Sequence, residues 1–204
     1  MAGAGGHSDR DRGPAAANPA QSWRCCLSTA DETTISLACP LRPGEPWVAG
    51  RALDVLRLQG GIAAADGAAR YAVGRRQGPP LILGEPLSWR GVALTLEAQQ
   101  LPGSPQGELT LRLPPWEQFF ALIAEPELWE LVDRLALEFS ARLGVVSDGR
   151  AVGYPDLERP GPALRRLQRR HLGLLLAPEH LPDLRPGTTP YLRLERSSLL
   201  LVLE

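Results

Sequence analysis

Few side chains in this sequence could do chemistry, and those that could are scattered. Of three histidines, His171 precedes the adjacent pair Glu179 and His180. Two imidazoles and a carboxylate form a donor set for a divalent cation, because imidazole nitrogen and carboxylate oxygen both ligate such ions. Their spacing matches no compact site, so the bland alternative stands beside the metal one: His171 opens a strand while Glu179 and His180 decorate an exposed turn. Cys25 and Cys26 offer soft-metal or redox ligands, yet no second cysteine or histidine pair stands at a useful distance from them. With Cys39 the cysteines number three, and adjacent cysteines bridge each other only under strain, which argues against a disulfide scaffold.

Nucleophilic catalysis would need Ser147-Asp148 or Ser197-Ser198 to meet His171 or His180, a combination that almost any protein can supply on paper. Glu125 with Glu127 and Asp156 with Glu158 are carboxylate pairs for acid–base work, but they stand at a helix start and in a loop, where acids belong anyway. All 22 basic residues are arginine, so a phosphate-binding loop ending in G-K-[ST] is excluded. G-x-G-x-x-G, H-E-x-x-H, G-x-S-x-G and C-x-x-C are also absent. The expectation is a chain without catalytic, metal or cofactor machinery, with an unrecognised enzyme kept as an alternative.

The strongest local charge feature is Arg165, Arg166, Arg169 and Arg170. On a helix, spacings of three and four bring Arg166, Arg169 and Arg170 onto one surface, which suits an acidic protein patch or a phosphate backbone. Nearby acids and the lack of interleaved aromatic rings count against single-stranded nucleic acid, and a merely solvated face is the bland reading. Of five tryptophans, Trp47 and Trp89 are candidates to anchor a partner if the sheet exposes them, since tryptophan concentrates binding energy at interfaces.

The elements that must position these residues follow from periodicity. Thr33–Ala38 alternates and reads as a first strand at a sheet edge, and the run from Ala52 through Val73, punctuated by Gly60-Gly61 and Asp66-Gly67, reads as hairpins, with a helical turn over Ile62–Ala65 as the alternative. After the strand LILG, Ser88–Gln99 reads as one long strand pairing antiparallel with Glu108–Leu113, whose Leu109, Leu111 and Leu113 share a face. The period then changes to that of a helix. Trp116, Phe119, Phe120 and Ile123 mark a first helix, and Pro126 opens a second, with Leu128, Leu131, Val132, Leu135 and Phe139 on one stripe and Gly144 as its stop. A turn at Ser147–Gly149 and a polar stretch to Pro162 lead to a short basic helix, a buried strand from His171, a helical turn opened by Pro178, and a closing hairpin turning near Arg196-Ser197. Strands grouped on either side of helices predict an α+β fold, with an antiparallel or mixed sheet and two or three helices packed on one face. Such an order provides no strand-to-helix crevice of the dinucleotide-binding kind.

Composition sets the frame. With 204 residues, 44% of them hydrophobic, the chain can bury one core, and a net charge of −1 creates no global field for a polyanion or a membrane surface. Residues 1–22 lack the large apolar side chains needed to offset ordering entropy and read as a disordered tail, leaving 23–204 as one domain. No apolar run long enough for a signal-peptide core or a membrane span occurs, which makes reduced cytoplasm the expected compartment.

The C-terminal third, LVDRLALEFSARLGVVSDG, then RRHLGLLLAPEHLPDL and YLRLERSSLLLVLE, resembles the end of bacterial immunity proteins of polymorphic-toxin systems, namely immunity protein 52 and the related type VI immunity domain. Gly173, Leu174, Pro178, Glu179, Leu181 and the run Leu199 to Leu203 carry the match, while Leu175 and Leu176 replace the usual Trp and Asn. The resemblance implies a protein that blocks a cognate toxin and performs no chemistry. The first expectation is thus a non-catalytic protein-binding module of the immunity kind. The alternative is a nucleic-acid-binding or regulatory protein that uses the arginine patch.

Overall fold

Alternation along β1 (Thr33–Pro40) organises the molecule: Ile35 and Leu37 fall on one side of the strand, Thr34, Ser36 and Ala38 on the other. The computed structural model describes residues 32–40, 51, 55, 58, 72–74, 81–83, 87–100, 106–114, 116–150, 152–155 and 161–204. The proposed tail, Trp23, Cys25, Cys26, Trp47, Asp156 and Glu158 lie outside them.

After β1 come β2 (Ala72–Gly74), β3 (Leu81–Leu83), β4 (Leu87–Trp89), β5 (Val92–Gln100) and β6 (Gln106–Leu113). Two helices follow, α1 (Trp116–Ile123) and α2 (Pro126–Glu138), and then β7 (Leu143–Ser147). The chain ends with α3 (Gly161–Arg170), β8 (Gly173–Leu176), a 3-10 turn (Pro178–Asp183), β9 (Leu192–Arg193) and β10 (Leu200–Leu203). The strands form one antiparallel sheet in the order β2-β3-β5-β6-β1-β7-β8-β10-β9, with β4 attached to β5 alone. The fold is α+β.

Pairing carries the alternation across the sheet. Ile35 stands opposite Leu111 and Val146, and Leu37 opposite Leu109 and Gly144, so one face is an apolar surface. Phe119 of α1 and Leu128, Leu131, Val132 and Leu135 of α2 close over it in the larger core cluster, placing two helices on this face as the pattern predicts. On the other face Ala38, Leu143, Val145, Leu174, Leu176 and Val202 meet Leu164 and Leu167 of α3, so the third helix covers the opposite side of the sheet. Among the described residues, no helix is long and apolar enough to cross a membrane.

Several sequence expectations are corrected. β1 is no edge strand: it lies between β6 and β7, buried on both faces from Thr33 to Cys39. The long strand expected at Ser88–Gln99 is broken at Arg90-Gly91, whose φ values of 49° and 82° make a type I′ hairpin turn between β4 and β5. Within the Ala52–Leu58 run, Val55 and Leu58 are helical, as is Arg51 just before it, at the spacings of four and three that a helix uses.

Gly144 does not end α2. The helix closes at Phe139 with Ser140 left-handed (φ 51°), the Ser140 amide donating to the Leu137 carbonyl and the Ala141 amide to that of Ala136 over 2.8 Å, a Schellman closure. Gly144 instead belongs to β7, where an added Cβ would stand 2.9 Å from Leu37 Cδ2 and 3.0 Å from Leu175 Cβ. Glycine is needed there for close packing. Val146 is likewise a core residue of β7.

Candidate functional site

The second face of the sheet changes character along its width. Beyond the apolar half under α3, the buried side chains of β6, β1 and β7 are polar: Glu108 and Thr110, then Thr34 and Ser36, then Ser147. Most buried polar groups in folded proteins find hydrogen-bond partners. Ser36 and Thr110 share a hydroxyl–hydroxyl bond of 3.0 Å. The Tyr154 hydroxyl is buried against Ser36 and Glu108, and burial followed by the Glu108 charge raises its pKa well above the ordinary value. Val152 and Tyr154 pack against the core of this face and Gln106 donates to the Pro155 carbonyl at 3.5 Å, which together hold the 152–155 segment over the sheet.

At the end of this polar band the Ser147 hydroxyl donates to the Arg150 carbonyl at 3.2 Å. Its oxygen therefore accepts from His171, whose Nδ1 is 3.2 Å away, which fixes the imidazole with its hydrogen on Nδ1. Burial holds the His171 pKa below its ordinary value; Asp148 opposes this, and Arg150 and Arg170 add to it. The ring is neutral near pH 7. The structure thus unites Ser147, Asp148 and His171, but not as a nucleophilic triad. Ser147 is fully buried, its proton is committed to a carbonyl, and His171 donates to it where a general base would accept. The Asp148 carboxylate is engaged instead by Arg150 Nε at 3.2 Å.

Helix α3 is amphipathic. Leu164, Leu167 and Gln168 are buried, while Arg165, Arg166, Arg169 and Arg170 are exposed. Gln168 ties the helix down, donating to Thr188 Oγ1 at 3.0 Å and accepting from the Arg185 amide at 3.1 Å. None of the four arginines has an ion-pair partner among the described residues. Arg166 and Arg170 form one wall of a cavity of about 550 Å³, with Arg150 and Gly153–Pro155 on the other side and His171 in its lining. Arg165 and Arg169, displaced along the helix surface, do not line it.

The remaining candidates are placed elsewhere. His180 pairs with Asp183 at 3.5 Å within the 3-10 turn, Glu179 is exposed, and no group of three His, Cys, Asp or Glu able to hold a metal comes together among the described residues. Cys39 is buried, and desolvation followed by the Glu108 charge pushes its thiol up to about 12, so it is inert at neutral pH. Ser197 is structural: Asp133 on α2 accepts from the Ser197 hydroxyl at 2.6 Å, the Ser197 amide at 2.7 Å and the Arg196 amide at 2.9 Å. Glu127 pairs with Arg90 at 2.7 Å, and that hydrogen bond lowers its pKa. Trp89 is corrected as a partner anchor, because it is 2% exposed and packed in the larger core. A second, wider groove of about 1010 Å³ runs from the α1–α2 junction to β9, beside the Asp133-held turn.

Arg150, Gly153 and Tyr154 escaped the sequence reading. They lie in a polar, proline-bearing stretch that signals only a loop, and nothing in it announces that the loop packs against the helix that follows.

Fold and site together define an antiparallel α+β protein that presents on one helix four arginines without an ion-pair partner among the described residues, two of them lining a cleft. In comparisons with known proteins, no family model, no curated protein and no solved structure matches this chain.

Proposed function

We propose that this chain is a non-catalytic protein-binding module that holds an acidic surface of its partner against the arginine face of α3. The observation that carries the reading is the exposure of Arg165, Arg166, Arg169 and Arg170 without an ion-pair partner among the described residues. Arg165 with Arg169 and Arg166 with Arg170 are like-charge pairs one turn apart, each of which weakens a helix by about 0.2–0.5 kcal/mol. The helix dipole offsets part of this only at its C-terminal turn. A face that is mildly unfavourable for the free chain becomes favourable against carboxylates, which a guanidinium fork grips through two parallel hydrogen bonds. Burial of Ser147 and Cys39 keeps two candidate nucleophiles from any substrate, which supports a role without bond chemistry.

The immunity-type resemblance of the C-terminal third makes a toxin the first partner to test. The product of the neighbouring gene is expressed alone and with this chain, and binding is titrated against wild type and an Arg165→Glu/Arg169→Glu variant. Protection of the host by the wild type, with affinity lost in the variant, supports the reading. Equal affinity of both chains overturns it. So does tight binding of RNA or DNA that falls steeply with salt, the signature of a polyanion-binding protein.

A further inference from the structure

We infer that the cleft lined by α3, Arg150 and residues 153–155 binds a small phosphorylated molecule, an activity beyond the proposed partner contact that draws on Arg166 and Arg170 of the same helix. Its volume of about 550 Å³ lies within the range of about 300–1,000 Å³ typical of small-molecule sites. One tetrahedral oxyanion would leave most of it empty, so the ligand carries an organic body.

Charge sets the headgroup. Arg166 and Arg170, one turn apart on α3, both line the cleft, and Arg150 from the segment after β7 lines it with them. Arg150 is neutralised by Asp148, whereas Arg166 and Arg170 have no ion-pair partner among the described residues. His171 donates its Nδ1 hydrogen inward to Ser147 and is neutral near pH 7, so it adds no charge. Two uncompensated guanidinium groups match the charge of about −1.5 to −2 on a phosphate monoester. Their fork geometry suits its oxygens.

The other wall suits the organic body. Gly153 has open space where a side chain would project, so a ligand can lie directly against the backbone there. Pro155 and Leu167 supply apolar contact on either side. The same glycine gives a clean test, because a side chain added at Gly153 meets no atom within 4 Å and its backbone is not left-handed.

The experiment is isothermal titration with glycerol 2-phosphate and, separately, inorganic phosphate, against chloride of matched ionic strength. The expected result is saturable binding of one ester per chain, at least as tight as inorganic phosphate. It is expected to weaken at least roughly ten-fold in Arg166→Gln/Arg170→Gln and in Gly153→Asp, each lost bidentate contact being a charge-assisted one. Arg165→Gln/Arg169→Gln is expected to bind as wild type. Absence of saturable heat, equal weakening by both arginine pairs, or binding of inorganic phosphate without the ester overturns the inference. A chain that loses its protein partner through Arg165→Glu/Arg169→Glu while keeping the ester separates the two activities.

Discussion

On one face of β1, Ile35 and Leu37 vanish beneath α1 and α2; one residue away on the other face, Ser36 bonds to Thr110 and lies against the Tyr154 hydroxyl. The first face is continuous from β5 through β10 and is covered by leucine-rich helices. The second is divided into an apolar half sealed by α3 and a polar band that ends at Ser147, His171 and Arg150. Apolar contacts are non-directional and contribute in proportion to area, whereas each buried hydroxyl or carboxylate must meet a partner in one geometry. The helical face holds the sheet together, and the second face holds residues 152–155 beside α3, where the cleft lies.

The largest way to break this contrast is to empty the apolar face. Leu131→Ala removes a fully buried side chain of α2 and is expected to cost about 2–5 kcal/mol in urea unfolding. An equal truncation at exposed Leu137 is expected to cost less than about 0.5 kcal/mol. Overfilling the same face comes next: Gly144→Ala forces Leu37 and Leu175 to move and is expected to cost about 1–3 kcal/mol. Asp133→Ala belongs to the same range, about 1–3 kcal/mol, because it strands the Arg196 and Ser197 amides. In that variant the loss is expected to appear as faster hydrogen exchange at the 195–199 turn.

The polar band has a pH signature. His171 is held below its ordinary value of about 6.5, so as pH falls through that value the unfolded chain takes up a proton that the folded chain refuses. Stability contributed by this residue is therefore present above about pH 6.5 and is lost as pH drops toward the folded value. His171→Gln is expected to flatten that part of the slope in urea midpoints measured on both sides of about pH 6.5. A variant slope equal to that of wild type would show that His171 titrates freely.

Legibility in the sequence followed the range of the interactions. The pairing of β5 with β6 and the α1–α2 break at Pro126 rest on alternation, proline and a change of period, all local signals. Placing β1 at the centre of the sheet depends on β7, which follows it only after a long stretch of chain, and TTISLACP carries no mark of which strands flank it. The burial of Trp89 is hard to read from sequence because Arg90-Gly91 is a less familiar I′ turn than Asn-Gly, so β4 and β5 read as one strand and the inward tryptophan has no strand of its own. Of the candidate site, the α3 arginines were legible from spacing. Arg150, Gly153 and Tyr154 were not, because long-range contacts of Val152, Tyr154 and Pro155 with the sheet bring that loop to the helix.

The recognition role proposed for the α3 arginines requires that they be surplus to folding. Urea unfolding of the chain with Arg165, Arg166, Arg169 and Arg170 all replaced by glutamine checks this. The expected result is a stability within about 0.5 kcal/mol of wild type, or slightly higher as two like-charge pairs disappear. A loss of more than about 1 kcal/mol would contradict it, by showing that these side chains hold α3 to the sheet.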